Sequence, residues 1–119
     1  MAQITSERIA TIAEWWDAIH PYAVKLEKNI TTAPQELSQQ DIDVVIRTLP
    51  EILRHIQHQP HPGCAAIMRE YLLRATTYLL HAYQELANNN TDEVDFYYST
   101  ALTNVARLHH QLVEHGFAN

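Results

Sequence analysis

The sequence predicts an all-α fold, an antiparallel up-down-up-down four-helix bundle in which residues 1–119 form one domain. Three observations lead there. Four long stretches carry apolar residues at alternating steps of three and four, a spacing that keeps them on one face of a helix. The connections between them are short and rich in proline, asparagine or glycine, and short connections turn successive helices antiparallel. Only 2 glycines occur in the chain, which suits helices better than a hairpin-rich sheet.

The first stripe reads Ile9, Ile12, Trp16, Ile19, Ala23, Leu26 and Ile30. It predicts a helix from near Ser6 to about Asn29, kinked at Pro21, where the ring removes a donor and crowds the preceding turn while the stripe keeps its phase. Ser38, with Asp41 three residues on, reads as the start of a second helix that runs to about His58. Its stripe is Ile42, Val45, Leu49, Ile52 and Ile56, and Pro50 predicts another kink. Thr48 to Glu51 also fits a capping box, the signature of a break, but the stripe continues in phase through it.

Gln59-Pro60-His61-Pro62-Gly63 is the clearest loop. Helix three is expected from about Cys64 to Ala87, with a main stripe from Ala65 to Leu86 and a second apolar row at Leu73 and Leu80. Two rows make it either the most buried helix or one with a contact surface on its second side. Asn88-Asn89-Asn90 ends it. Thr91 is expected to cap helix four, with Asp92, Glu93 and Asp95 in the favourable first turn and Gly116 at its C-terminal cap.

Composition narrows the function classes. Hydrophobic residues at 46% and charged residues at 18% describe a folded domain. The net charge of -6 disfavours binding to nucleic acid phosphates. One cysteine, Cys64, excludes an intramolecular disulfide. Met1 to Ala10 lacks a signal-peptide pattern, and no apolar run approaches the roughly 20 residues of a membrane span, so a cytoplasmic protein is expected. Asn29-Ile30-Thr31 and Asn89-Asn90-Thr91 match the glycosylation triplet but read as turns in that setting.

The predicted topology gathers His55, His58, His61, Cys64, His109, His110 and His115 at one end of the bundle, and acidic residues at the other. His55, His58, His61 and Cys64 recur at intervals of three. Imidazole and thiolate suit zinc, copper or nickel, and four such ligands close a tetrahedral site, so these residues are the candidate ligands for a transition metal such as zinc, although their spacing is not a recognised zinc signature. Proline on both sides of His61 restrains how they converge. A carboxylate-bridged metal pair in the core is disfavoured, because Glu51/His55, His81/Glu85 and His110/Glu114 all lie off the main stripes.

Arg74 and His81 stand two helical turns apart, with six residues between them. That spacing resembles the Arg-x4–6-His element of the HEPN ribonucleases, small helical bundles that usually act as dimers. The resemblance covers two residues, and Ala75 stands where that family usually has a polar residue. It implies His81 as an acid/base group and Arg74 as a phosphate stabiliser at a dimer seam. No Gly-rich phosphate loop and no HExxH motif occurs.

The aromatic residues point to association. Trp15 and Trp16 project about 100° apart, so one takes the core and the other a flank. With Trp16 on the stripe, Trp15 falls in line with Tyr22. Tyr71 and Tyr78 share a flank of helix three, and Tyr97 accompanies Tyr98 on helix four. Together with Leu73 and Leu80, the residues Trp15, Tyr22, Tyr71, Tyr78 and Tyr97 are the candidate partner interface. The expected function is non-catalytic protein–protein association, as a homo-oligomer or as a small subunit or adaptor of a larger complex, with no nucleic acid or membrane partner.

Overall fold

A computed structural model describes residues 11–117. Among them the helices are α1 (Ile12–Ile30), α2 (Gln39–His58), α3 (Ala66–Ala87) and α4 (Thr91–Glu114), with single 3-10 turns at Pro34–Glu36 and Gly63–Ala65 and no strand. None of these helices is long and apolar enough to cross a membrane.

α1 opens later than expected. The Glu14 amide donates to the Thr11 hydroxyl at 3.1 Å, and the Thr11 amide donates to the Glu14 carboxylate at 2.8 Å. This reciprocal box satisfies two donors that a helix end leaves orphaned, and it sets the start at Ile12. Ser6 and Ile9 lie outside the described residues. The buried face is Trp15, Ile19, Ala23, Leu26 and Ile30, the expected stripe except at the tryptophan. Trp15 is fully buried and Trp16 is half-buried, the reverse of the expected assignment. Trp15 is therefore a core residue and not part of a surface patch.

α2 runs unbroken from its cap, where the Ser38 hydroxyl accepts from the Asp41 amide at 3.2 Å. Pro21 and Pro50 lie inside continuous helices with their rings exposed, so neither divides its helix in two. The Thr48 hydroxyl donates to the Val44 carbonyl within α2 and caps nothing.

α3 and α4 are separated by a left-handed turn. Asn89 adopts φ 62°, its amide donates to the Leu86 carbonyl, and the Asn90 amide donates to the Glu85 carbonyl. This pattern closes the last turn of α3. Asn90, not Thr91, occupies the cap position of α4; its side chain accepts no hydrogen bond from the helix end, and its amide nitrogen donates to the Glu85 carboxylate. At the far end of α4, Gly116 at φ 81° lets the Phe117 amide reach the Leu112 carbonyl at 2.8 Å. The expected glycine cap is present, and it folds Phe117 back beside the helix.

Residue pairs give the packing order. Tyr22 near the middle of α1 stacks on His55 near the end of α2. Arg69 at the start of α3 donates to the Gln57 carbonyl at the end of α2. Tyr78 of α3 stacks on Tyr97 of α4. Trp16 early in α1 meets Phe117 beyond the end of α4, while Ile30 at the end of α1 is bonded by Tyr98 in the first half of α4. The α1–α4 pairings set the start of each of these two helices beside the end of the other, and Arg69 sets the start of α3 beside the end of α2.

α3 is the central element, packed against both α2 and α4. Met68, Leu72, Ala75, Thr76, Leu79, Ala82 and Tyr83 are buried on it. Arg69 faces α2, so Leu73, Thr76 and Leu80, set at helical steps along the same flank, face that way too. Leu73 and Leu80, the second apolar row, are half-buried and pack against the core.

Candidate functional site

Two surface features bring together chemistry-bearing side chains. The first is an aromatic cluster on the outer side of the α3–α4 seam. Tyr78 and Tyr97 stack with ring centroids 6.1 Å apart, and His81 lies over Tyr97 at 5.3 Å. Phe96 meets the edge of Tyr97 at 5.3 Å and an interplanar angle of 67°. Offset and edge contacts of this kind align the positive ring edge with a negative face. Phe96 is nevertheless 59% exposed. One turn before it, the exposed carboxylates Asp92 and Glu93 lie on the same side of α4.

The second feature is a cavity of about 370 Å³ between α1 and α4. Trp16, His20, Ala23 and Glu27 form the α1 wall. Leu108, His109, Leu112, Val113 and Phe117 form the other. The Trp16 and Phe117 rings are 6.3 Å apart, and His20 leans on Trp16 at 5.3 Å. Glu27 Oε1 and His109 Nε2 pair across the gap. The cavity exists because α1 packs against α2 and the underside of α3 but stands off from α4.

Two tyrosines hold the opposite end of α1. The Tyr98 hydroxyl donates to the Ile30 carbonyl at 2.6 Å, and the Tyr83 hydroxyl donates to the Asn29 carbonyl at 3.4 Å. These carbonyls belong to the last turn, where a helix has no partner of its own to offer. Burial, and then the neighbouring Tyr98, push the Tyr83 hydroxyl up to about 12. Burial, and then Glu36, raise Tyr98 in the same direction.

The expected metal ligands are placed apart in their contacts. His55 stacks flat on Tyr22, with centroids 4.4 Å apart, and lines a small pocket with Lys25 and Glu51. His58 is exposed, His61 is half-buried, and Cys64 is exposed in the 3-10 turn before α3. Among the described residues no group of three or more His, Cys, Asp or Glu side chains converges in a way that holds a metal ion. The other histidines of that end also take separate neighbours: His109 pairs with Glu27, and His110 with Glu114 at 3.4 Å.

Arg74 and His81 share an exposed face of α3, as their spacing requires. Arg74 is engaged with Glu70 at 3.0 Å, while His81 belongs to the aromatic cluster. Of the expected interface residues, Tyr78 and Tyr97 are in that cluster, and Tyr71 lies one heptad before Tyr78 on the same flank. Tyr22 is on the α2 side of α1.

The sequence reading missed Phe96, whose exposure is visible only once Tyr98 is turned toward the core and Tyr97 toward Tyr78 and His81. It also missed Trp16, Glu27, His109 and Phe117 as a group, since they come from the two ends of the chain. Comparison with protein-family models, curated proteins and solved structures gives no match.

Proposed function

We propose that this protein works by association with another protein, through the aromatic face of the α3–α4 seam. The observation that carries the reading is Phe96. It is a large apolar ring, more than half exposed, and it rests on a contiguous surface made by Tyr97, Tyr78 and His81. Aromatic side chains held in place by one another lose little freedom on binding, and they dominate the energetics of interfaces.

The rim chooses the kind of partner. Asp92 and Glu93 flank Phe96, and the whole chain carries a net charge of -6. A second copy docked on the same face would set like charges against each other. A partner presenting an apolar anchor within a basic surface meets both features, so the adaptor or small-subunit reading is favoured over self-association.

Quantitative capture from a cell extract tests this, comparing wild type with Phe96→Ser and with the control Leu102→Ser, which alters another exposed apolar residue of α4. The expected result is a stoichiometric partner retained by wild type and the control, lost with Phe96→Ser, and weakened by added salt. An identical set of bound proteins for all three would overturn the proposal.

A further inference from the structure

The groove between α1 and α4 is held differently at its two ends. At one end the Tyr98 and Tyr83 hydroxyls bond the last turn of α1. Partway along, Glu27 pairs with His109. The other end is covered by one side chain, Phe117, whose ring lies 6.3 Å from Trp16 and lines the cavity with it. Phe117 stands beyond Glu114, the last residue of α4, so it reaches this place only through the turn that follows the helix.

That turn hangs on one backbone angle. Gly116 has φ 81°, a region that glycine enters freely and a residue with a Cβ does not. In this conformation the Gly116 amide donates to the Val113 carbonyl at 3.0 Å, and the Phe117 amide donates to the Leu112 carbonyl at 2.8 Å. These two bonds hold the ring over the groove. A Cβ at Gly116 would meet nothing within 4 Å, so the angle and not the space decides what the position accepts. Two bonds at a helix end can open without unfolding the elements behind them.

We propose that residues 115–117 are a strap that closes the Trp16 end of this groove, with Gly116 as its hinge and Phe117 as its cover. When the two bonds break, Phe117 swings away, and Trp16 and the apolar wall at Ala23 and Leu112 come open to solvent. The tyrosine end stays pinned, so the groove opens from one end only.

Paramagnetic relaxation by a soluble neutral probe, read at the two indole N–H signals, tests this. Trp15 is fully buried and serves as the internal standard. Phe117→Ala should raise the relaxation of Trp16 severalfold. Gly116→Ala should raise it as well, and should cut the hydrogen-exchange protection of the Phe117 amide roughly tenfold. Gly116→Asn, whose side chain tolerates a left-handed angle, should stay closer to wild type. Gly63→Ala, at a glycine with equally open space and no positive φ, should change neither signal. Trp15 should stay shielded in every variant. Unchanged shielding of Trp16 in Phe117→Ala would show that the ring covers nothing. Exposure by Phe117→Ala but not by Gly116→Ala would show that the turn does not position the ring. Exposure of Trp15 together with Trp16 would show that the whole end of the bundle opens. Each of these three results would overturn the proposal.

Discussion

α4 has two neighbours, and it meets them differently. Against α3 it packs along its length, burying Val94, Ala101, Asn104, Leu108 and Leu112. Against α1 it makes a few separate contacts: Tyr98 bonded to Ile30 at one end, the Glu27–His109 pair between, Trp16 beside Phe117 at the other end, and an open cavity toward the last. The first seam is closed by nonpolar packing, whose strength grows with area removed from water. The second is pinned by a few directed contacts. A helix held in that manner leaves space that a ligand can use, whereas a seam closed by packing leaves only its outer edge for binding. The two candidate surfaces follow from this difference, one as a cavity and the other as an exposed aromatic ridge.

The largest expected effect comes from removing the ring that anchors α1 to the common core. Trp15 is fully buried beside Ile19 and Leu26. Trp15→Ala should cost about 3–5 kcal/mol, because it loses the burial of a large ring and leaves a hole. Trp16→Ala, on the cavity wall, should cost far less. Chemical denaturation of both variants checks the contrast, and equal losses would mean that the two indoles share the core.

This pair also shows what was legible in the sequence and what was not. The existence of four helices was legible, since a stripe repeated over four turns outweighs any single residue. The choice between Trp15 and Trp16 was not, because either continues a three-and-four spacing into Ile19. Packing decides it: Trp15 takes the buried position and Trp16 the flank beside Phe117. The surplus row on α3 was legible as a row, but its partner was not. Leu73 and Leu80 are half-buried against the core, which their spacing alone does not show. The His/Cys spacing could not show the neighbour that His55 takes, Tyr22 of α1, which comes from a distant part of the chain. The cavity was invisible for a plain reason: its walls are joined by Glu27 and His109, which lie 82 residues apart in sequence.

The next effect tests the pins. Tyr98→Phe removes the 2.6 Å bond to Ile30 and leaves a carbonyl without its partner. The expected loss is about 1–2 kcal/mol. Tyr83→Phe, with its longer 3.4 Å bond, should cost about 1 kcal/mol or less. Hydrogen exchange at the last turn of α1 should rise in both variants while the α3–α4 seam keeps its protection. Uniform loss of protection would mean that the helices open as one unit.

The same hydroxyls make the pins sensitive to alkali. Tyr83 holds its proton up to about 12, against 10.0 for an ordinary tyrosine. Between these values the folded state binds more protons than the unfolded chain, so stability falls as pH rises. It is fully present below pH 10 and is lost as pH climbs toward 12. Tyr98 is raised as well and adds to the same slope. Melting temperatures across pH 9 to 12 should therefore fall less steeply in the Tyr83→Phe, Tyr98→Phe double variant than in wild type. Parallel curves would assign the alkaline loss to other groups.

The smallest effect on stability belongs to the residue with the largest proposed role. Phe96 touches Tyr97 by an edge and otherwise faces water. Replacing it by serine removes a ring that buries little area in the folded chain, so the expected change is within about 0.5 kcal/mol. A loss above about 2 kcal/mol would instead make Phe96 part of the fold, with Tyr78, His81 and Tyr97 depending on it for their positions. The distinction matters because an exposed ring that stabilises nothing needs another reason to be apolar, and a complementary surface on a partner supplies one.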